Sequence, residues 1–216
     1  MLERILPPAV RSAHTRTDPP AVLFPVEAAL VENAVEKRKR EFTTARHCAR
    51  LALAELGVAP APILPGTRGA PRWPDGIVGS MTHCAGYRAA AVARRAQAAG
   101  IGIDAEVHGP LPEGVIKLVA SAGEQARLAA LAIARPEVHW DRLLFSAKES
   151  VYKVWSPRTG EWLGFEEAEV SFDPEAATFT ARVLVPGPFS VLSGRYLVED
   201  GLVLTAIVLP PLSSPT

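Results

Sequence analysis

The chain has 216 residues, 48% of them hydrophobic, which is enough for one large domain or two small ones around a buried core. A formal net charge of zero argues against a uniformly basic surface for nucleic acid. No run of 18 apolar residues occurs, and the start MLERILPPAVRS lacks the apolar segment of a secretory signal, so we expect a cytoplasmic protein with no membrane contact.

The charge is unevenly distributed along the chain. Residues 1–100 carry 14 Lys and Arg against 8 Asp and Glu, whereas residues 101–216 carry 9 against 15, giving net charges of +6 and −6. A cleft between the two parts could offer arginines from one side and carboxylates from the other, which suits a phosphate held with a divalent cation. Each part offers helices and strands in similar proportion, so we expect two packed subdomains, residues 1–96 and 97–216.

The first part predicts a basic helix followed by a long loop. Residues 1–25 are rich in proline and are expected to run extended along the surface. A helical pattern from Glu27 to Leu56, which could be broken near Asn33, has an apolar stripe and a basic side. That basic side is either a solvated face or a binding surface. Residues 59–79 contain too much proline and glycine for regular structure and predict an ordered loop of a length that is often functional.

Isolated polar residues in this part carry weaker signals. Thr82 and His83 stand immediately before a predicted strand, where they could present a hydroxyl, an imidazole and main-chain N–H groups to a phosphate, although a lone histidine is more often structural. Cys48 and Cys84 belong to no metal-binding or redox pattern. We interpret both cysteines as small buried residues.

Two strands are expected next, from Tyr87 to Arg94 and from Ile101 to Val107, and the second contains the sequence GIDAE. Side chains alternate along a strand, so Asp104 and Glu106 lie on the same face, about 7 Å apart and away from the core. Such a pair could share Mg²⁺ with a third carboxylate. A solvated sheet face is the alternative.

The segment FSAKESVYKVW predicts a helix from Phe145 to Trp155. Glu149 and Lys153 are four residues apart and lie opposite its apolar side. They form either a surface ion pair or part of a site. An earlier helix opens with the capping box Ser121–Glu124 and runs to about Ala134. Alternating segments then predict an antiparallel sheet and an α+β fold, with strands near Glu167–Phe172, Thr178–Leu184, Arg195–Val198 and Leu202–Val208.

The order of these features resembles the 4′-phosphopantetheinyl transferases, in particular the surfactin-type and siderophore-synthase-associated branch and its actinobacterial members. Both central motifs, G-[IV]-D-x-E and [FW]-S-x-K-E-[SA]-x-x-K, are complete, and the match spans roughly Lys37 to Trp155. The resemblance implies a pseudo-twofold monomer of two α+β halves that binds coenzyme A (CoA) between them. It also implies transfer of phosphopantetheine to a serine of an acyl or peptidyl carrier protein, with 3′,5′-ADP leaving. A non-catalytic CoA- or nucleotide-binding regulatory module is the alternative.

The resemblance further implies roles for the charged residues of the two motifs. Asp104, Glu106 and Glu149 would bind Mg²⁺, with Mn²⁺ as an alternative ion. Glu149 would also help to deprotonate the serine, directly or through water. Lys153 would neutralise the pyrophosphate, and Lys148 would be a further phosphate contact. These two lysines and Glu149 are the catalytic residues that we expect.

The CoA contacts of the first half follow from the same resemblance. Thr82 and His83 match the position that grips the CoA phosphates. Arg46 and Arg38 match basic positions around the 3′-phosphate, although Lys39 and Arg40 stand so close that the choice within this cluster stays open. Arg68 lies in the loop where related sequences often carry a lysine, and whether it replaces that contact is also open.

Overall fold

A computed structural model describes residues 1–211, which form two antiparallel sheets with helices packed on them, so the α+β prediction is confirmed. The strands within this range are β1 (Arg11–Thr15), β2 (Ile77–Cys84), β3 (Tyr87–Arg94), β4 (Gly100–Val107), β5 (Ala168–Asp173), β6 (Thr178–Val183), β7 (Val191–Glu199) and β8 (Leu202–Leu209). The α-helices are α1 (Pro25–Ala28), α2 (Glu36–Glu55), α3 (Ile116–Val119), α4 (Ala122–Ala134) and α5 (Trp140–Thr159). None of these helices is long and apolar enough to cross a membrane.

The first half packs α2 on a three-stranded sheet with the strand order β1-β3-β2. The helix presents small and aliphatic residues, among them Ala49 and Leu53, to Ala90 and Val92 of the alanine-rich strand β3. Small side chains on both surfaces allow helix and strand to pack closely. The helix break expected near Asn33 is confirmed, because a turn there separates α1 and a following 3₁₀ turn from α2.

The second half packs α5 on a five-stranded sheet with the order β4-β8-β7-β6-β5. Its core joins large side chains of α5, such as Leu144 and Trp155, to Phe179 and Ile207 of the sheet. The predicted capping box opens α4 as expected, since Ser121 and Glu124 each accept a hydrogen bond from the other's backbone N–H. The four expected C-terminal strands are β5 to β8, and their antiparallel pairing is confirmed.

The two sheets meet at their edge strands, β2 and β4. Ile103 donates its backbone N–H to the Ser80 hydroxyl at 3.1 Å, and Ala105 donates to the Thr82 hydroxyl at 3.0 Å. Side chains of β2 therefore satisfy two backbone donors at the edge of β4 and cover this edge. The expected division after residue 96 falls in the connection between β3 and β4, at 95–99. The subdomain division itself stays a prediction.

Two strands of the first half were not predicted. β1 lies within the stretch expected to run extended, and β2 begins at Ile77, inside the expected loop 59–79. The prediction of β2 failed because Gly79 weakens its strand pattern. In the fold, Trp73 packs on Gly79 and donates its indole N–H to the Gly79 carbonyl at 2.9 Å. Thr82 and His83 therefore lie inside a strand, not before one.

The two cysteines differ in burial. Cys48 lies in the core between α2 and its sheet, as expected. Cys84 is only partly buried, because β2 ends at this residue and the chain turns into β3. Both thiols are free.

Helix α5 rests directly on β4 at Gly102. A Cβ atom at this glycine would lie 2.1 Å from the Ser150 carbonyl oxygen and 2.7 Å from a Val154 methyl group. No side chain fits between helix and strand at this level. The residue therefore sets the distance between the two elements.

We expect Gly102→Ala to destabilise the fold by about 1–3 kcal/mol, because the added methyl group must push the α5 backbone away from β4. Gly109→Ala is the matched control, since a Cβ atom there meets nothing within 4 Å. Its effect should stay within about 0.5 kcal/mol. Urea unfolding followed by circular dichroism measures both changes, and equal stability of the two variants would contradict the close packing.

Candidate active site

A cleft of about 940 Å³ lies between the two halves. Helix α2, the loop before β2 and β2 itself line one side, and α5 with the beginning of β4 lines the other. The predicted site residues that line this cleft are Arg38, Arg46, Arg68, His83, Glu149 and Lys153. The fold therefore brings expected residues of both halves to one place.

The Lys153 ammonium group joins α5 to β4 on the cleft wall. It donates to Asp104 Oδ1 at 2.7 Å and to the Ile103 carbonyl oxygen at 3.0 Å. Asp104 is only 5% exposed, and its other oxygen, Oδ2, is buried with no hydrogen-bond partner among residues 1–211. An unsatisfied buried polar atom costs about 1–3 kcal/mol, so this oxygen is suited to a ligand that the fold does not itself supply.

Thr82 acts on Asp104 and does not line the cleft. Its side chain is buried, and its hydroxyl donates to Asp104 Oδ1 at 3.2 Å while accepting the Ala105 N–H. Adjacent residues of a strand point to opposite faces, so Thr82 faces β4 whereas His83 faces the cleft. The Thr82 hydroxyl is therefore turned away from the cleft, and the phosphate contact expected of this residue stays a prediction.

Besides Asp104, the expected metal site has two further carboxylates, those of Glu106 and Glu149. Burial raises the pKa of both glutamates, and the negative charge of Asp104 raises each pKa further. Lys153 lowers the pKa of Glu149, and Arg142, which donates to Glu106 Oε2 at 3.0 Å, lowers that of Glu106. The alternative of a solvated sheet face is wrong for Asp104, because this residue of β4 is buried.

The donor set fits a hard divalent cation, although it is incomplete without a substrate. Within residues 1–211, no three His, Cys, Asp or Glu side chains stand close enough to hold a metal ion by themselves. Carboxylate oxygens are nevertheless ligands of the type that Mg²⁺ takes, and one of them, Asp104 Oδ2, has no hydrogen-bond partner within the same residues. Mg²⁺ usually combines one or two carboxylates with water and substrate phosphates. The three-carboxylate metal site stays a prediction.

Lys148 lies away from the cleft, contrary to expectation. It is 3% exposed, and its ammonium group donates to Glu124 Oε2 at 2.9 Å and to the carbonyl oxygens of Val119 and Phe165 at 2.8 and 2.7 Å. All three of its donors are thus used inside the second half. Successive helix residues diverge by about 100°, so Lys148 points towards α4 while Glu149 faces the cleft.

Arg46 and Arg38 both line the cleft but differ in freedom. The Arg46 guanidinium lies 3.2 Å from the centre of the Phe42 ring and donates to the Ile63 carbonyl at 3.0 Å. It also lies 3.5 Å from the fully buried Glu27, and burial lowers its pKa to about 10, so it stays charged at neutral pH. Arg38 is exposed, and its guanidinium lies farther from the same ring centre, at 6.0 Å, so it is less constrained than Arg46.

Within the basic cluster of α2, only Arg38 lines the cleft. Lys39 pairs with Glu36 at 3.1 Å and Arg40 lies 3.7 Å from Asp18, so both are directed elsewhere. The geometry therefore favours Arg38 among the three residues that the sequence left open.

His83 and Arg68 contact different partners at the cleft. His83 Nε2 lies 3.4 Å from a Glu41 oxygen, and burial lowers the pKa of this histidine although Glu41 raises it. Arg68 donates its Nε–H to the Gly160 carbonyl at 2.9 Å, so the loop of the first half bridges to the end of α5. Whether Arg68 also contacts a ligand stays a prediction.

Several cleft residues had no signal in the sequence. Glu41, Trp73 and Tyr152 line the cleft, yet no motif or spacing points to them. Arg142 could not be found from spacing either, because the glutamate to which it donates, Glu106, lies 36 residues earlier in the chain.

Comparison with known proteins gives matches along most of the chain. Residues 26–93 match the family model of the 4′-phosphopantetheinyl transferase N-terminal domain, and residues 100–205 match that of the 4′-phosphopantetheinyl transferase superfamily. The 4′-phosphopantetheinyl transferase Svp of Streptomyces mobaraensis is 57% identical, covering 96% of this chain and 88% of that protein. PptT of Mycobacterium tuberculosis is 50% identical, over 91% of each. Npt of Nocardia iowensis is also 50% identical, over 96% and 99%.

We expect Lys148→Met to lower stability by about 3–5 kcal/mol, because it leaves Glu124 as a buried charge without its cation. Adding Glu124→Gln should restore part of the loss, since the unpaired charge is then removed. Chemical unfolding measures both variants. Isothermal titration should show unchanged CoA affinity in each folded variant, and a marked loss of affinity with stability intact would return Lys148 to the cleft.

Proposed function

The chain belongs to the 4′-phosphopantetheinyl transferase superfamily and is an enzyme of that class. We propose that it transfers 4′-phosphopantetheine from CoA to a serine of apo acyl or peptidyl carrier proteins. In this proposal Mg²⁺ or Mn²⁺ is bound and 3′,5′-ADP is released. The observation that carries the proposal is the Lys153–Asp104 pair on the cleft wall, beside the unpaired Asp104 Oδ2. Both sides of the cleft come from one chain, so a monomer is sufficient. CoA and apo carriers would be met in the cytoplasm.

The reaction needs no nucleophile from this chain. The carrier serine oxygen forms a bond to the β-phosphorus of CoA, and the bond from that phosphorus to the bridging oxygen breaks, so 3′,5′-ADP leaves with the electron pair. The serine proton passes to Glu149, directly or through water. Such a displacement is catalysed mainly by positioning and charge neutralisation.

Asp104, Glu106 and Glu149 would hold the cation at the pyrophosphate. When bound, a divalent cation neutralises charge on the phosphate oxygens and polarises the phosphorus that is attacked. Lys153 supplies a second positive charge from the chain itself. Two of its three N–H groups are used by Asp104 and Ile103, so one remains for a phosphate oxygen or for protonating the leaving group.

The first half would bind the nucleotide end of CoA. Arg38 is an exposed cation of α2 on this wall, and Arg46 adds a buried positive charge from the same helix. His83 lies on the same wall, where burial lowers its pKa and the charges of Arg38 and Lys153 lower it further. We assign Arg38 and Arg46 to the 3′-phosphate and His83 to the phosphates closer to the reacting centre.

A non-catalytic CoA-binding module is the competing function. It would need the arginines and the histidine but not the full carboxylate set around Lys153. Incubation with CoA, Mg²⁺ and a panel of apo carrier proteins, followed by intact-mass measurement of each carrier, distinguishes the two. Addition of one phosphopantetheine group supports transfer, whereas CoA binding without modification of any carrier supports the module.

We expect Asp104→Asn and Glu149→Gln each to lower the transfer rate by about a hundredfold or more. Each change replaces a negatively charged carboxylate that would bind the cation by a neutral amide, and stabilisation of the phosphate charge by a metal is worth several kcal/mol. The matched control is Glu169→Gln, a carboxylate of β5 that pairs with Arg127 and Arg182 away from the cleft. The carrier mass assay measures the rate. Near-normal rates in either cleft variant at low Mg²⁺ would remove that residue from the site.

A second test concerns the 3′-phosphate. Arg38→Ala should weaken CoA binding but leave dephospho-CoA binding almost unchanged, with a coupling of about 1–3 kcal/mol between residue and phosphate. Lys37→Ala is the control, because Lys37 is the preceding exposed cation on α2 and does not line the cleft. Isothermal titration of both ligands gives the cycle. Equal losses for the two ligands would place the 3′-phosphate elsewhere.

A further inference from the structure

Arg142 lies in the first turn of α5 and is not used in the reaction steps above. Its side chain is 19% exposed, and all three of its nitrogens donate. Nε donates to the Gly109 carbonyl at 3.2 Å, Nη1 to Glu106 Oε2 at 3.0 Å and Nη2 to the Pro110 carbonyl at 2.8 Å. The guanidinium therefore joins a carboxylate of β4 to the loop that follows this strand.

Neighbouring residues fasten the same loop to the beginning of α5. Asp141 accepts the Leu111 N–H at 2.8 Å with one oxygen and the Arg142 N–H at 2.8 Å with the other. His139 donates its N–H to the His108 ring at 3.1 Å. Residues 108–111 are thus held against α5, and the end of β4 with them.

Glu106 is the residue that this arrangement orients. Within the part of the chain that the structure describes, Arg142 is the one hydrogen-bond donor to its side chain, and the donation goes to Oε2. Oε1 is left for another partner. A ligating carboxylate whose outer oxygen is hydrogen-bonded loses less rotational freedom on binding, and such outer partners commonly tune metal affinity 10–100-fold.

We propose that Arg142 is a positioning residue that presents Glu106 to the divalent cation, an inference that rests on the proposed function. Charge alone makes the opposite prediction, because a guanidinium close to a cation repels it, and removing Arg142 would then tighten metal binding. Lysine replaces arginine here only in part, since one ammonium group does not match three acceptors placed around a guanidinium.

The test compares Arg142→Gln and Arg142→Lys with Arg127→Gln. Arg127 is a matched control, because it also lies on a helix of the second half and donates to a glutamate at 3.0 Å, but its partner is Glu169 of β5, which also pairs with Arg182 and is none of the expected metal ligands. Mn²⁺ binding in the presence of CoA is measured by electron paramagnetic resonance. The Mg²⁺ concentration for half-maximal transfer, the KM for CoA at saturating Mg²⁺ and thermal unfolding are measured on the same proteins.

We expect Arg142→Gln to weaken Mn²⁺ binding and to raise the half-saturating Mg²⁺ concentration by about 10–100-fold, with a smaller effect for Arg142→Lys. The KM for CoA at saturating Mg²⁺ should not change. Arg127→Gln should leave every metal measurement unchanged. If Arg142→Gln does not fold, Arg142→Lys decides.

Unchanged or tighter Mn²⁺ binding in the Arg142 variants overturns the inference while leaving the proposed function intact, and lower thermal stability with normal metal affinity would make Arg142 merely structural. A different failure appears in the wild-type protein. If it transfers phosphopantetheine without any divalent ion and binds no Mn²⁺, the metal part of the proposed function is wrong, and the role of Arg142 falls with it.

Discussion

The pair between Lys153 and Asp104 is the interaction on which the cleft depends, because it joins the main helix of the second half to the strand where the two sheets meet. It forms only because α5 rests directly on β4 at Gly102, where any side chain would collide with the Ser150 backbone. From the other side, the Thr82 hydroxyl of the first half reaches the same carboxylate. Asp104 is thus held by both halves, and its second oxygen has no partner in the part of the chain that the structure describes.

The rotation of α5 about its axis decides which of its charges face the cleft. Lys148 is bonded to Glu124 and two carbonyl oxygens in the core of the second half, and Arg142 is bonded to Glu106 and the loop after β4. These contacts lie on different sides of one helix and fix its orientation. Glu149 and Lys153 therefore reach the cleft in a defined position, as catalysis by positioning requires.

The basic half is organised by a buried acid. Glu27 is fully buried and accepts hydrogen bonds from Arg50 and from the Ile63 N–H, while Arg46 lies 3.5 Å away. Two of the 14 Lys and Arg residues in 1–100, Arg46 and Arg50, are therefore paired with a buried acid, and the cations that line the cleft on this side are few, with Arg38, Arg68 and Arg95 exposed among them. Positive charge concentrated in a cleft attracts a phosphate more effectively than the same charge spread over a surface.

Periodicity and motif spacing by themselves determined the α+β class, the helix that carries Glu149 and Lys153, and the shared face of Asp104 and Glu106. They could do so because a period of 2 or 3.6 residues depends only on local backbone geometry. Only the tertiary structure decided which face meets the cleft. Lys148 and Thr82 are each one residue from a cleft residue, yet each points into the interior, and no local pattern reveals what lies opposite a face. The same reason explains why β2 was not predicted, since Gly79 weakens its strand pattern and Trp73 packs on this glycine only in the folded chain. It also applies to Arg142, whose acceptors lie more than 30 residues earlier in the chain and are brought to it by the packing of β4 against α5.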